Sequence, residues 1–346
     1  MPSLQDNNAL ILVTGANGFL GTWLVSYLLA EGFSVRAAVR NPSKGEHLLR
    51  KCAEYSSRLN LTFVPDMQMD GAYDEAVRGV DAIIHTASPV HLDAKEPKDI
   101  IDPAVKGAVG ILESAMKHGH SVKRVIFTSS CAAILDASST PISVSEKDWN
   151  NARVQQCEAL GTDAEPLAKY AASKVLAEKA VWEFVEEHKS LKWDLVAINP
   201  PYMFGPVAHE VNTIESLNPS TKMWYEAVAN WVYFGGSPLT SPGHGWVDVR
   251  DIATAHIRAL AVPDAGGERI IVSAGSWVWQ DWVNTVYALP ASVCPAFPRA
   301  SVPEEVRVRY ITFDGSKQEK LLGLKLRSME DSTIGILENY VALGML

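Results

Sequence analysis

The chain contains 346 residues, of which 47% are hydrophobic and 21% are charged, a composition typical of globular rather than disordered proteins. Its 31 lysines and arginines against 40 aspartates and glutamates give a net charge of −9. An acidic chain without a basic run does not favour nucleic acid or an anionic membrane as a partner. No apolar stretch approaches the roughly 18 residues of a membrane span, and the N-terminus lacks the basic start of a signal peptide. We therefore expect a cytoplasmic protein whose partner is a small molecule.

The cysteines and histidines do not indicate a metal centre or a disulfide framework. The four cysteines are scattered along the chain without a C-x-x-C pair: Cys52, Cys131, Cys157 and Cys294. They are expected to be reduced thiols. His118 and His120 are close in sequence, but no third ligand is near them, so we predict no metal site.

Short β-branched runs alternate with helical patterns through the first part of the chain. Strands are predicted at Ala9–Val13, Ser34–Val39, Leu61–Val64, Ala82–Thr86, Val122–Thr128 and Leu195–Ile198. Helices are predicted between them at Gly18–Ala30, Lys44–Tyr55, Tyr73–Arg78, Ile100–Lys117 and Glu165–Glu187, and Ala132–Ala159 is predicted as loop with a short helix. This alternation predicts an α/β fold with a doubly wound parallel sheet, the Rossmann arrangement.

The pattern is looser after residue 200. The predicted segments are a loop at Val207–Ser220, a helix at Thr221–Phe234, a strand at Gly243–Val249, a helix at Asp251–Ala261 and a strand at Ile270–Ser273, followed by a mostly helical tail. We predict a dinucleotide-binding domain over residues 1–200, which also receives segments around 240–275, and a smaller substrate-binding lobe over residues 201–346. Whether Val207–Pro219 forms a mobile lid is left open, as is the oligomeric state.

A glycine-rich segment joins the first predicted strand to the first predicted helix. It reads Thr14-Gly15-Ala16-Asn17-Gly18-Phe19-Leu20-Gly21, with glycines spaced G-x-x-G-x-x-G. In this context Gly15 permits a tight turn, Gly18 allows close approach to a pyrophosphate and Gly21 lets the helix pack on the strand. The N–H groups at the helix start then bind phosphate. The segment predicts a dinucleotide site.

The end of the second predicted strand indicates which dinucleotide is bound. An NAD site usually has an acidic residue about 20 residues past the glycines, to hold the ribose hydroxyls. Here no acid precedes Glu46, whereas Arg36, Arg40 and Lys44 are all present. Guanidinium groups bind phosphate bidentately, so the sequence favours NADP with either arginine on the 2′-phosphate.

A tyrosine and a lysine four residues apart begin the longest predicted helix. Tyr170 and Lys174 share one helix face, and a nearby ammonium is expected to lower the pKa of the phenol towards values useful for acid–base catalysis. A hydroxyl at the end of the fifth strand would complete the set, because reacting groups collect at the carboxyl ends of parallel strands. Ser129 and Ser130 both qualify there, and Thr128 is expected to line the cofactor.

Together these motifs resemble the extended short-chain dehydrogenase/reductase superfamily. The segments Ile83–Pro89, Asn199–Pro206 and Trp246–Ala253 are similar to its dihydroflavonol-reductase-like branch, and the chain is most similar there to NADPH-dependent methylglyoxal-type aldehyde and ketone reductases. The resemblance covers about residues 8–275. It implies that Ser130 is the catalytic serine, Tyr170 the general acid and Lys174 its partner.

The same resemblance implies a set of cofactor contacts. Those in the glycine loop are Gly15, Asn17, Gly18, Phe19 and Leu20. The others are Arg40, Lys44, Asp66, Met67, Ala87, Ser88, Thr128, Tyr170, Lys174, Pro200 and Met203. His85 precedes the end of its strand and is interpreted as a packing residue.

The substrate side is predicted to be apolar and aromatic. The residues expected to face the nicotinamide are Cys131, Ala132, Ile134, Tyr202 and Phe204, together with the loop and helix Val207–Phe234, which contains Trp224, Tyr225, Trp231 and Phe234. Because that region has few charges to bind a diphosphate, an apolar or aromatic carbonyl compound is the predicted substrate. About half of the helix aromatics are expected to be core residues instead.

Several other functions share parts of this pattern. An NAD-dependent nucleotide-sugar epimerase or dehydratase uses the same serine, tyrosine and lysine, and a dihydroflavonol or cinnamoyl-CoA reductase differs in its substrate pocket. A non-catalytic NADP-sensing module would not need the complete set of three side chains. We expect an NADPH-dependent carbonyl reductase that transfers hydride to a ketone or aldehyde.

Overall fold

The structure is a computed structural model that describes residues 4, 8–90, 92–135, 140–229, 242–290, 293 and 309–346. Its strands are β1 (Leu10–Thr14), β2 (Ser34–Val39), β3 (Leu59–Phe63), β4 (Ala82–His85), β5 (Arg124–Thr128), β6 (Ile142–Val144), β7 (Asp194–Asn199), β8 (Tyr202–Phe204), β9 (Pro242–Asp248), β10 (Arg269–Ile271), β11 (Ser276–Val278) and β12 (Ile311–Phe313). Its α-helices are α1 (Phe19–Ala30), α2 (Glu46–Lys51), α3 (Lys98–His118), α4 (Asn151–Leu160), α5 (Pro166–Glu187), α6 (Pro219–Trp224), α7 (Val249–Ala261), α8 (Trp279–Ala288), α9 (Ser316–Lys320) and α10 (Met329–Ala342).

Seven strands form the central sheet in the order β3-β2-β1-β4-β5-β7-β10, and all neighbouring pairs are parallel. Two smaller sheets lie beside it, one of β8, β9 and β11 and one of β6 and β12. The chain adds strands outward from β1 on one side and from β4 on the other, so the order reverses between these two strands, which is the switch point where doubly wound sheets bind ligands. The predicted α/β doubly wound fold is confirmed.

Both faces of the sheet are buried, and alternate residues of β1 show this directly. Ile11 and Val13 pack in the core cluster that contains Leu24 of α1 and Ile252 of α7, whereas Leu12 packs in the cluster with α3 and α5. Because successive side chains of a strand point to opposite faces, a strand covered by helices on both sides must be apolar throughout. This explains the uninterrupted apolar runs of the sequence.

One predicted helix, Tyr73–Arg78, is wrong. The segment is a series of turns bounded by Gly71 and Gly79, which have φ values of +70° and +69°. Left-handed glycines end helices, and the seven residues between them are too few for a stable one. Arg36 also donates to the carbonyl oxygens of Ala76 and Arg78, at 2.9 and 2.6 Å, and so satisfies backbone groups that a helix would use.

The prediction for Thr221–Phe234 is also corrected in the part that the structure describes. Helix α6 begins earlier, at Pro219, and passes into one π-helical turn over Tyr225–Ala229; Trp231 and Phe234 lie outside the described residues. The region Ala132–Ala159 contains β6 besides the helix α4, and the tail contains β12, a strand that was not predicted. None of the helices in the described part of the chain has the length and apolarity that crossing a membrane requires.

Candidate active site

The carboxyl edge of the central sheet opens into a cavity of about 860 Å³. It is lined by nearly all the residues that the sequence placed at a cofactor or in catalysis: Gly15, Asn17, Gly18, Phe19, Leu20, Arg40, Lys44, Met67, Ala87, Ser88, Thr128, Ser130, Tyr170, Lys174, Pro200 and Met203. The exception is Asp66. Residues from five strand ends and from α1 and α5 therefore meet in one space.

The glycine loop is packed so closely that side chains would not fit. Gly15 has a φ of +62°, and a Cβ there would lie 2.9 Å from Thr86 Oγ1. A Cβ on Gly21 would overlap the carbonyl oxygen of Gly15 and lie 2.8 Å from Ala16 Cα. The loop is thus packed against β4 and α1 by its glycines, and its backbone lines the cavity at the start of α1, where a pyrophosphate would bind.

Hydrogen bonds from Thr14 hold this loop against the end of β4. Thr14 Oγ1 accepts from the backbone N–H groups of Thr86 and Ala87, both at 3.1 Å, and lies 2.9 Å from His85 Nδ1. Thr86 Oγ1 donates to the Thr14 carbonyl at 2.6 Å. His85 is buried, and burial lowers its pKa to about 3, so its ring is a neutral packing group.

The two arginines of β2 have different surroundings. Arg36 is held by the carbonyl oxygens of Ala76 and Arg78 and does not line the cavity. Arg40 lines it together with Lys44. Asn41 caps the short 3-10 turn that contains Lys44, since its Oδ1 accepts from the Lys44 backbone N–H at 3.2 Å. The geometry therefore favours Arg40 over Arg36 as a ligand for a 2′-phosphate.

Asp66 lies outside the main cavity. Its carboxylate accepts from the backbone N–H of Gln68 at 2.9 Å and borders an adjoining depression, which is also lined by Arg40, Met67 and Ser88. Contact between Asp66 and the cofactor remains a prediction.

Helix α5 carries the tyrosine and the lysine into the cavity. Pro166 is its first residue, a position where the missing N–H is not needed, and Tyr170 and Lys174 follow on one face. Lys174 Nζ donates to Ser88 Oγ at 3.0 Å and lies 5.8 Å from the centre of the Tyr170 ring. Tyr170 shares a hydrogen bond with Ser130.

The protonation of these groups differs from the expectation. Burial raises the pKa of Tyr170 to about 12, against the opposing hydrogen bond from Ser130, and burial lowers the pKa of Lys174 to about 8. The expected lowering of the phenol pKa by Lys174 is thus wrong for the ligand-free protein. The ammonium sits over the ring rather than on the hydroxyl, and the same low-dielectric surroundings disfavour both charged forms. Tyr170 accordingly holds its proton, as a general acid must.

The structure separates the two serines that the sequence left as alternatives. Ser129 Oγ donates to the buried Glu178 at 2.5 Å, whereas Ser130 Oγ accepts from the Ala132 backbone N–H at 3.1 Å and bonds Tyr170. Ser130 is therefore the hydroxyl placed beside the phenol.

The predicted substrate side is partly corrected. Cys131, Ala132 and Tyr202 line the cavity, but Ile134 and Phe204 are buried outside it. Phe204, Trp224 and Tyr225 belong to an aromatic core with Trp282 and Tyr340. Met223, from the segment Val207–Phe234 that the sequence placed there, also lines the cavity. Sequence reasoning missed the lining residues Val90, Leu92, Leu135, Asn150, Arg153, Leu167 and Phe313. Val90 and Leu92 follow a predicted strand end and could have been found; Phe313 lies in the tail, where no motif marks it.

A family model described as the NAD dependent epimerase/dehydratase family matches residues 11–275. The chain belongs to this family. It is 34% identical to Ketoreductase azaE of Aspergillus niger, over 92% of this chain and 94% of that protein. It is 32% identical to NADPH-dependent methylglyoxal reductase GRE2 of Saccharomyces cerevisiae, over 93% of this chain and 95% of that protein.

Among solved structures, Gre2 of Candida albicans in complex with NADPH superimposes with a TM-score of 0.85 at 30% identity, covering 97% of this chain and 99% of that one. Within the family, these relatives are NADPH-dependent reductases and a ketoreductase. The resemblance to the extended short-chain dehydrogenase/reductase superfamily is confirmed.

Proposed function

We propose that this protein is an NADPH-dependent carbonyl reductase that converts a ketone or aldehyde to an alcohol. The observation that carries the proposal is the meeting of Ser130, Tyr170 and Lys174 in one cavity beside the glycine loop. The names of its relatives, a ketoreductase and a methylglyoxal reductase, support the same chemistry.

The charges around the cavity fit an anionic dinucleotide with a 2′-phosphate. Four of the described lining residues are cations, namely Arg40, Lys44, Arg153 and Lys174, and no aspartate or glutamate is found among those described lining residues. Arg40 and Lys44 stand at the end of β2, where a ribose-binding acid would be needed for NAD. Bound there, NADPH supplies the hydride.

The chain's own residues position the carbonyl and manage the proton. Ser130 and Tyr170 would donate to the carbonyl oxygen, which stabilises the negative charge that develops on it. Tyr170 then gives up its proton to that oxygen. The charged Lys174 stabilises the phenolate that remains. This stabilisation is needed because burial raises the pKa of Tyr170 and so disfavours the phenolate.

We infer that the substrate is apolar or aromatic. The lining of the cavity includes Leu135, Leu167, Tyr202, Met223 and Phe313, which offer contact area but few hydrogen bonds. The division that we propose is a cofactor domain over residues 1–200, which also receives segments around 240–275, and a mainly substrate-binding lobe over residues 201–346. The position of Met223 and Phe313 supports it, while Leu135 and Leu167 of the first domain line the cavity as well.

The proposed cytoplasmic location is supported by the thiols. The three cysteines among the described residues, Cys52, Cys131 and Cys157, are buried and not in disulfides, as in a reducing compartment.

NADPH oxidation, followed by absorbance with methylglyoxal, isovaleraldehyde and a panel of aromatic ketones, tests the proposal. Activity is expected with NADPH in the wild type. In Tyr170→Phe kcat should fall by about 10²–10⁴-fold, the range for loss of a general acid. NADPH affinity should be nearly unchanged, because the phenol is not among the phosphate-binding groups. A Tyr55→Phe variant, altered at a phenol that does not line the cavity, is the matched control and should keep the wild-type kcat.

Two results would contradict the reductase. Purified protein that carries tightly bound NAD and reduces no carbonyl compound would favour the nucleotide-sugar epimerase or dehydratase. Protein that binds NADPH but does not oxidise it with any compound would favour a sensing module.

A further inference from the structure

A buried acid lies on the same helix face as the proposed catalytic pair. Tyr170, Lys174 and Glu178 follow one another at intervals of four residues along α5, so their side chains succeed one another by one turn. Glu178 is completely buried, whereas a carboxylate in that position normally requires strong compensation. The proposed mechanism does not use it.

The compensation comes from three surrounding elements. Ser129 Oγ at the end of β5 and Asn199 Nδ2 at the end of β7 donate to Glu178 Oε2 at 2.5 and 2.9 Å. Arg269 Nε on β10 donates to Oε1 at 2.6 Å. Hydrogen bonds of this number and kind hold an ionised carboxylate in place.

Arg269 is itself fixed. Its guanidinium stacks 3.7 Å from the centre of the Trp149 ring and donates to the carbonyl oxygens of Glu146 and Asp148, at 2.5 and 3.0 Å. Arg269 therefore holds the carboxylate of Glu178 in place, one turn of α5 after Lys174.

The network also orients the serine that faces Tyr170. Because Ser130 is extended, with φ −163° and ψ 152°, its side chain and that of Ser129 point in opposite directions. Glu178 holds Ser129, and Asn199 Nδ2 donates to the Ser130 carbonyl at 3.3 Å as well as to Glu178. Ser130 is thereby directed towards the phenol.

The charge of Lys174 depends on few neighbours. The ring of the neutral Tyr170 lies 5.8 Å from it, and His85 presents a neutral ring from β4. Ser88 gives it one hydrogen bond. Glu178 is the acid that opposes the effect of burial on this ammonium.

We propose that Glu178 is a positioning residue for the reduction: its carboxylate keeps Lys174 protonated and, through Ser129 and Asn199, aims Ser130 at Tyr170. The role in turnover depends on the proposed reductase function, whereas the role in the protonation of Lys174 does not.

The charge is tested by direct titration of Lys174 in the full chain, by NMR of 13Cε-labelled lysine with Lys174→Met to assign the signal. In the wild type the midpoint is expected near pH 8. In Glu178→Gln it should move down by about one pH unit or more, as when an opposite charge within a few ångströms is removed. In Glu178→Asp, which keeps the charge, most of the shift should be recovered.

Ser129→Ala is the matched control, because it removes a hydrogen bond and leaves the carboxylate. Its Lys174 midpoint should equal that of the wild type, while kcat with isovaleraldehyde falls several-fold because Ser130 is less well held. Glu178→Gln should show both a lower Lys174 midpoint and a lower kcat. The alkaline limb of its kcat–pH profile should move by the same number of pH units as the NMR midpoint.

Glu178→Gln leaves Arg269 buried without its acid. If the variant does not fold, Glu178→Gln/Arg269→Met removes both charges and should show the same downward shift. A folded variant, single or double, whose Lys174 midpoint stays near the wild-type value overturns the proposal. Because the NMR titration needs no substrate, a wild type that reduces no carbonyl would disprove the reductase and leave this test intact.

Discussion

Arg36 is the third residue of β2 and Arg40 directly follows the last residue of that strand, yet the two side chains have different contacts. Arg40 and Lys44 face the cavity, while Arg36 donates to two backbone carbonyl groups of the turns after β3. Identical side chains four residues apart therefore differ in their surroundings: Arg40 lines the cavity, and Arg36 satisfies backbone carbonyl groups.

The Arg40→Ala variant should lose preference for NADPH. A charge-assisted hydrogen bond to phosphate contributes about 1.5–3 kcal/mol, so KM for NADPH should rise about 10–100-fold while KM for NADH changes little. Steady-state kinetics with both cofactors measures the ratio. An unchanged ratio would mean that Arg40 does not contact the 2′-phosphate.

Arg36→Ala is the companion variant, with the opposite expectation. The carbonyl oxygens of Ala76 and Arg78 lose their donor, so the unfolding free energy should fall by about 1–3 kcal/mol. The ratio of the two KM values should remain that of the wild type. Urea denaturation and cofactor kinetics on the same preparation separate the two roles.

At the scale of elements, the junction of β1 and α1 depends on backbone contact rather than on side chains. A Cβ on Gly21 would overlap backbone atoms of Gly15 and Ala16, which cannot move without distorting the loop. We expect Gly21→Ala to lose several-fold or more in NADPH affinity and about 1–3 kcal/mol of stability, as overpacking does. Thermal unfolding and cofactor titration measure both quantities.

Gly110 supplies the matched control, because it lies inside α3 with open space where a Cβ would be. Gly110→Ala should stabilise the protein by up to about 1 kcal/mol through helix propensity and leave NADPH affinity unchanged. Equal behaviour of the two alanine variants would contradict the close approach at Gly21.

The elements that the sequence predicted correctly are those whose cause is local. The strands of the central sheet are apolar on both faces, and α3 and α5 have long helical patterns, so each could be recognised from its own residues. Strands β6 and β12 pair Ile142 with Ile311, which is far away in sequence, and no local sequence pattern predicts such a pairing. Likewise, Phe204 and Trp224 look the same in sequence whether they line a pocket or fill a core; tertiary packing decides that they fill the core.

The catalytic set shows the same division. The spacing of Tyr170 and Lys174 and the strand end at Ser130 could be predicted, because they depend on helix periodicity and on sheet topology. The pKa of Tyr170 could not, because it depends on how completely the fold removes water from the hydroxyl.

At the scale of the whole molecule, the buried His85 and His256 and the half-buried His209 couple stability to pH. His85 bonds Thr14 at the end of β1, and His256 of α7 bonds Thr128 at the end of β5, at 2.9 and 2.8 Å. Burial lowers the pKa of His85 to about 3 and the pKa values of His209 and His256 to about 4. All three rings are therefore neutral in the folded protein at neutral pH.

The direction of the pH effect follows from these shifts. In the unfolded chain a histidine takes up its proton near pH 6.5, whereas in the folded protein each of the three remains neutral down to about pH 4 or lower. Between these values the unfolded state binds more protons, so the unfolding free energy falls as the pH is lowered, by up to about 1.4 kcal/mol per pH unit for each histidine. Above pH 6.5 this contribution is complete and constant.

Urea denaturation at pH 7.5, 6.0 and 5.0 should show this loss of stability, and His256→Gln, which cannot titrate at that position, should flatten the dependence on pH. The same substitution at the exposed His120 serves as the control and should leave the dependence as in the wild type. Since His85 and His256 hold the ends of β1 and β5 through Thr14 and Thr128, acid should loosen the cavity edge of the sheet first. NADPH affinity should then decline over the same pH interval as the unfolding free energy. If the affinity stays constant while the stability falls, protonation of these histidines does not loosen the cavity edge of the sheet.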